Sequence, residues 1–414
     1  MKYIDLVIIG GGSAGMAAAI QAKNDGIDNL LIIEKDNCLG GILNQCIHNG
    51  FGLTEFKEEL TGPEYLTRFA DKVKELGIPY TLESEVINIS KDKVIEYSCK
   101  TGYEVVKAKA IILATGCYER SAGAIQLPGD RCSGVITAGT AQKYLNIHGY
   151  MVGKRVVILG SGDIGLIMAR RLTLEGAKVL CVSELMPYSN GLNRNIAQCL
   201  IDYDIPLYLS RSVSKVIGKG KLEKVILSAV DENKNFIPGT EMEIECDTLV
   251  LSVGLIPDTT LLNNVCSSKN VNQYMETDIE GIFKCGNCAH VHDVVDFVSD
   301  ESRLAGAAAS MYIKQLMPDG KEVKVLAKDG IGYVLPNIYK VQAKDDLTLK
   351  FRVKSPINDV FVIVESNNQI ISKIFKPALI PSEMVMIKIK NDKLSNIMDS
   401  IIVRLEKRDN VWKS

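Results

Sequence analysis

The chain has 414 residues, 48 basic against 50 acidic side chains and 46% hydrophobic residues. That much apolar material predicts two or three domains, and a net charge of −2 without a basic run argues against a nucleic-acid binder. No apolar run reaches the roughly 20 residues of a spanning helix, and eleven scattered cysteines, an odd number, fit a reduced cytoplasmic setting better than a disulfide framework. The N-terminal apolar segment is interrupted by Asp5 and runs into three glycines, which suits a strand and turn rather than an export signal.

Residues 3–9 read as a buried strand, Gly10-Gly11-Gly12-Ser13-Ala14-Gly15 as a turn, and the alanine-rich stretch after it as a helix. Gly10 permits the tight turn, Gly12 lets the backbone approach a pyrophosphate, and Gly15 lets the helix pack closely on the strand. A helix N-terminus there offers unpaired N–H groups to phosphates. A second strand, residues 30–33, ends at Glu34, whose carboxylate would meet the hydroxyls of an adenosine ribose. The unit then recurs: residues 155–159 lead into Gly160-Ser161-Gly162-Asp163-Ile164-Gly165, a helix, and a strand over 178–183 that ends at Glu184. The same interval of 24 residues separates Gly10 from Glu34 and Gly160 from Glu184. Two dinucleotide sites in one chain imply hydride or electron transfer between two cofactors, flavin and nicotinamide being the usual pair. Small-residue crossings at Ala114-Thr115-Gly116 and around Gly254, and the run from Thr277 to Asn287, complete the pattern.

These motifs resemble the flavoproteins with two dinucleotide-binding domains, the glutathione and thioredoxin reductase superfamily, over about residues 1–316. The resemblance implies an α/β fold with two Rossmann-like domains: a discontinuous FAD domain (1–118 and 257–316) and an inserted NAD(P) domain (119–256). It places FAD against Gly10, Gly12, Ser13, Ala14, Gly15, Glu34, Lys35, Gly41, Ile42, Val86, Ala114, Thr115, Gly116, Gly286 and Asn287. It places NAD against Gly160, Gly162, Asp163, Ile164, Gly165, Glu184 and Gly254. The superfamily normally has Asp where this chain has Asn287, so the contact to the flavin ribityl or phosphate region keeps its hydrogen bonding and loses its charge.

Disulfide reductases of this superfamily need two cysteines at the flavin face. Gly40-Gly41 is followed by Cys46 alone rather than by Cys-x4-Cys, and residues 134–141 hold no Cys-x-x-Cys. A dithiol reductase is therefore not expected. Cys285-Gly286-Asn287-Cys288 is formally a Cys-x-x-Cys but coincides with the flavin turn, and both cysteines read as small buried residues. Cys46 and His48 fall where the superfamily approaches the isoalloxazine, so a single redox cysteine there is an alternative that predicts an NADH oxidase, a peroxidase or a coenzyme A disulfide reductase. In a strand, His290 and His292 would share a face and could reach one ion. Their place after the flavin turn favours a flavin-contacting role, and no metal is expected.

Three longer stretches, Gly41 to Gly52, Gly116 to Arg120 and Gly286 to Asp296, look like the FAD/NAD(P)-dependent oxidoreductases that accompany a glycerol-3-phosphate dehydrogenase in anaerobic bacteria. Those in turn resemble the A or alpha subunits of opine, sarcosine and dye-linked proline oxidases. The likeness implies a subunit that exchanges electrons with a partner dehydrogenase chain and a small iron–sulfur or cysteine-rich protein. No cysteine follows Cys288, so the C-terminal cluster of the opine-type subunits is absent. The tail alternates apolar and polar residues over 347–354 and nearly so over 385–390, with Pro356, Pro377 and Pro381 between. It reads as a small β-sandwich-like domain at 320–414, a cap or docking surface. Glu184 would accept hydrogen bonds from an unphosphorylated ribose and repel a 2′-phosphate, which favours NADH over NADPH. A third alternative is a flavin-binding scaffold without turnover.

Overall fold

The computed structural model describes residues 1–341, 345–394, 397 and 399–408. The chain forms two units, one built from Met1–Leu43, Gly50–Gly116 and the chain from Pro257 onward, the other from Asn44–Asn49 and Cys117–Ile256. The first unit carries a mixed sheet in the strand order Tyr80–Thr81, Leu30–Ile33, Lys2–Ile9, Gly102–Leu113, Val94–Cys99, Glu85–Ile89, with Ile282–Lys284 also paired in parallel to Gly102–Leu113. Lys2–Ile9 is central and parallel to both neighbours, with Ile9 opposite Ile33 on one side and Leu113 on the other. Its residues Leu6–Ile9 are buried on both faces, which explains a continuous apolar run where a half-exposed strand would alternate.

Helix Ser13–Asn24 buries Ala17, Ala18, Ala19 and Ala22 against helix Val295–Ile313. Small side chains permit this close approach. A Cβ on Gly306 would stand 2.4 Å from the Ala18 carbonyl oxygen, so the second helix touches the first through backbone. The sheet side away from these helices holds its own core of Val7, Ile9, Ile95, Ile111 and Ile282.

The second unit repeats the theme with a five-stranded parallel sheet in the order Val135–Thr137, Thr248–Leu251, Arg155–Leu159, Lys178–Ser183, Leu207–Tyr208. Helix Asp163–Leu174 packs on it through Leu166, Met168, Ala169 and Leu172. An antiparallel three-stranded sheet, Arg211–Ile217, Lys224–Ala229 and Met242–Glu245, is appended. The α/β fold with two Rossmann-like sheets and a β-rich C-terminal region is thus as expected.

That C-terminal region has one sheet of five strands and one of three around Phe351, Val362, Val364, Ile387 and Val403. Strand Leu347–Val353 alternates buried and less buried residues, as its period-two pattern requires. Three differences from the sequence reading matter. Residues 44–49 belong to the second unit rather than the flavin domain, and the β-rich region, despite its own core, groups with the first unit. Residues 289–294 run as an irregular loop, not a strand, so the argument from strand alternation for His290 and His292 does not apply.

Gly306→Val should lower stability by about 1–3 kcal/mol through overpacking at the helix crossing. Urea or thermal unfolding checks this, and a wild-type transition would refute the backbone contact.

Candidate cofactor cradles

Each Rossmann unit ends its first strand in a glycine turn and begins a helix with no side-chain cap: Gly12 is the N-cap of Ser13–Asn24 and Gly162 that of Asp163–Leu174. The first N–H groups of both helices are left for an anion. The glycines within each turn have different physical reasons. Gly10 has φ +106° and a Cβ there would lie 2.4 Å from the Ala114 carbonyl oxygen, while one on Gly15 would lie 1.8 Å from that of Gly10. Gly160 and Gly165 are likewise constrained, by Ser252.

The middle glycines are not. Gly12 has φ −72° and ψ −173°, open to any residue, and a Cβ there meets no atom within 4 Å. Gly162 has φ −66° and ψ 160°, with Ser252 Oγ at an ordinary 3.6 Å. The space at these two positions is left over by the protein itself, and it lies at a helix N-terminus in both units. The residues present therefore fit a bound diphosphate.

Glu34 and Glu184 lock the two turns by the same bonds. Glu34 accepts the Gly11 N–H and, at 2.8 Å, the Asp36 N–H. Glu184 accepts the Ser161 N–H at 2.9 Å, the Ser161 hydroxyl at 2.6 Å and the Met186 N–H at 3.0 Å. Both residues are buried, each 4% exposed.

Several residues of the expected FAD set lie near the first turn. Gly41, with φ +55°, lies over Gly12, and Gly40 donates its N–H to the Gly11 carbonyl at 2.9 Å. Ile42 follows, exposed at the start of a 3₁₀ turn. Gly286, with φ +66°, sits against Ala14, so the turn carrying Asn287 meets the helix start. Ala114 binds Ile9 through its N–H, and the Thr115 hydroxyl donates to the Asp258 carbonyl at 2.6 Å. Gly116 accepts the Asp258 N–H. Ser84 donates its N–H to the Glu34 carbonyl, and Val86 lies two residues further on a strand. Lys35 is exposed beyond Glu34. In the second unit Asp163 accepts the Leu192 N–H at 2.8 Å and the Asn195 amide at 2.6 Å, which ties the helix start to the following loop, with Ile164 next in the helix. Gly254, at φ +104°, accepts the Arg120 N–H.

Cys46 and His48 are placed differently from expectation. They lie in the second unit, where Gln45 donates to the Gly139 carbonyl at 2.8 Å and to Gln142 at 3.0 Å, and Asn146 donates to the Gln45 carbonyl at 2.8 Å. Cys46 Sγ is 3.9 Å from Gln142 Oε1, and burial pushes its thiol up to about 12. His48 is pushed down by burial, opposed by its bond to the Asn49 carbonyl, with Arg194, Asp163 and Arg170 in electrostatic reach. Cys285 packs on the helix-covered face of the first sheet and Cys288 on the other, and burial raises both thiols. Two thiols on opposite faces do not form a dithiol centre.

One group of metal-ligand type stands out among the described residues: His290, His292 and Glu301, with ligand atoms within 4.8 Å of one another. Sequence reading found the histidines and missed Glu301, which lies in a helix with nothing local to mark it. His292 is tied to the flavin turn by its N–H to Asn287 Oδ1 at 3.0 Å.

A family model described as pyridine nucleotide-disulphide oxidoreductase matches residues 4–338. Thioredoxin reductase of Bacillus subtilis is 26% identical over 339 residues, 78% of this chain and 99% of that protein. An opine oxidase subunit of Agrobacterium tumefaciens is 27% identical over 280 residues, 63% of this chain and 54% of that protein. Among solved structures, thioredoxin reductase of Lactococcus lactis in its FR conformation aligns at a TM-score of 0.62 with 20% identity, covering 76% of this chain and all of the other.

Gly12→Ala should leave the apoprotein's stability within about 0.5 kcal/mol and weaken FAD binding at least about tenfold, and Gly162→Ala should do the same to NADH while FAD stays bound. Titration of flavin fluorescence and of NADH-dependent bleaching measures both. Unaltered cofactor affinities would show that the vacant space is not a ligand's.

Proposed function

We propose, from the premise that this chain belongs to the pyridine nucleotide-disulphide oxidoreductase family, that it is an NADH-directed flavoenzyme subunit delivering electrons to a partner protein rather than to a dithiol. An FAD-dependent oxidoreductase using NAD(P)H is the family's common activity, and FAD when bound supplies the two-electron chemistry. The observation that carries the reading is the pair of middle glycines whose side-chain space no protein atom requires.

The protein's part is binding and orientation. The first N–H groups of the two helices, which begin at Ser13 and Asp163, have no side-chain cap, and the helix ends favour negative charge there by about 0.3–1 kcal/mol each. Asn287 is held by His292, which occupies its Oδ1 and leaves the amide Nδ2 to donate. Glu184, fixed by three donors, would repel a 2′-phosphate by roughly 4 kcal/mol at about 4 Å and an effective dielectric near 20.

No acid–base dyad is needed for hydride transfer between the two cofactors. The missing dithiol, the opposed faces of Cys285 and Cys288, and the long resemblances at 41–52, 116–120 and 286–296 support a partner chain as the place where the organic substrate is handled. A glycerol-3-phosphate dehydrogenase-type subunit with a small iron–sulfur protein is the partner we favour. Co-purification from the native host with a spectrum of the bound chromophores tests it: a flavin signal without any associated polypeptide would count against it. Among the described residues no helix is long and apolar enough to cross a membrane.

Two variants separate this reading from its alternatives. Cys46→Ser should keep NADH-dependent dye reduction within about twofold, because a thiol raised to about 12 is almost wholly protonated at neutral pH. Loss of activity in that variant would favour a self-contained oxidase or peroxidase. Glu184→Ala should raise the NADPH-to-NADH ratio of kcat/KM by at least tenfold, and an unchanged ratio in steady-state kinetics would remove Glu184 as the selector. A scaffold without turnover predicts that excess NADH without oxygen leaves the flavin colour intact.

A further inference from the structure

Glu301 is a deeply buried acid of the flavin-side unit, its side chain 1% exposed. Its Oε1 accepts the Gly286 N–H at 3.2 Å, so it holds the flavin turn directly. Its Oε2 receives His290 Nε2 at 2.8 Å and Lys350 Nζ at 2.7 Å, with His292 Nε2 at 3.3 Å. The imidazole rings lie 4.0 Å apart, His290 Nδ1 has no hydrogen-bond partner in this buried setting, and His292 Nε2 lies beside the carboxylate without the geometry of a hydrogen bond. Residue types and spacing alone would suit a divalent cation. The cation is already there, however: an ammonium sits on the shared oxygen, and a metal ion beside it would be repelled while competing for the same carboxylate.

Lys350 comes from strand Leu347–Val353 of the β-rich region. Two residues along, on the same face, Arg352 pairs with Asp293 and donates to the Val291 carbonyl at 3.3 Å, while Met384 donates its N–H to Asp293 at 2.6 Å. One strand therefore holds the Asp293 end of the loop directly through Arg352 and reaches the Gly286 turn through Lys350 and Glu301. Tyr333 of the same region places its ring 6.3 Å from that of His290. Burial tends to neutralise Glu301, yet His292 and His290 beside it hold its carboxyl well below the usual carboxylate range.

We propose that Lys350 is the resident cation of the His290–His292–Glu301 cluster, and that through it the C-terminal β-rich region positions the flavin turn and sets the electrostatic bias on the bound flavin. The inference rests on the FAD assignment above and makes Lys350 and Arg352 positioning residues. Its signature is charge compensation. Lys350→Met leaves the buried Glu301 carboxylate its bonds to Gly286 and His290 but removes its ammonium, and so disfavours added electrons. Glu301→Gln leaves an unpaired ammonium and favours them.

The test is the two-electron midpoint potential of the holoprotein's flavin, read from equilibrium titration against a redox dye, together with FAD affinity and metal content. Lys350→Met should shift the reduction equilibrium at least tenfold against reduction, about 30 mV. Glu301→Gln should shift it the other way, and the double variant and Lys350→Arg should lie near wild type. A purely structural clamp would move all the variants in one direction, which overturns the proposal, as does a Lys350→Met protein with wild-type potential. If that variant does not fold, Glu301→Gln and the double variant still carry the sign test. One transition metal per chain, lost in His292→Ala, would show that the resident cation is a metal and overturn it too. A wild-type chain that binds no FAD defeats the function proposed above and this inference with it, whereas a wild-type flavin bleached by NADH beside unmoved variants defeats this inference alone.

Discussion

The structure turns on two glycine turns whose backbone opens at the start of a helix. A helix N-terminus carries N–H groups that its own turns cannot satisfy. Here two such ends are left without side-chain caps, and the residue at each N-cap is a glycine that neither strain nor packing demands. The neighbouring glycines answer to the protein: Gly10 and Gly160 to a strand crossing, Gly15 and Gly165 to the helix lying on its turn. Sorting the glycines by what a methyl group would strike separates those the fold requires from those it does not.

Both turns are then held rigid by an acid one strand away. The bonds from Gly11 and Asp36 to Glu34 recur as those from Ser161 and Met186 to Glu184, so the repeat extends from spacing to hydrogen bonding. A loop positioned by a buried carboxylate loses little further freedom when a cofactor binds, which is the thermodynamic value of preorganisation. The two units differ in what surrounds this shared frame. The first adds Gly286 and Asn287 across the helix start, and the second adds the Asn44–Asn49 segment with Cys46 and His48.

The buried charges behind the flavin turn belong to a different level of organisation. A carboxylate as buried as Glu301 is costly without compensation. Its partners come from the turn at Gly286, an irregular loop and a β-rich region whose sequence carries no catalytic motif. The region that reads as a cap or docking surface thus supplies two cations to the elements that present Asn287.

Fold class and the duplicated glycine turn were legible in the amino-acid order because each strand–turn–helix is local. Within about 25 residues the apolar run, the glycine spacing and the closing acid are all present, and the steric demands of that geometry leave few other spellings. The positions of Cys46, His48 and Glu301 were not legible. Cys46 lies in a short segment whose allegiance is decided by Gln142 and Asn146, about a hundred residues away. Glu301 meets Lys350 only after a separate sheet has folded against the flavin-side unit. Periodicity reports which face of an element is apolar, whereas the partner of a buried charge is chosen by packing between elements, and that choice exists only in the tertiary structure.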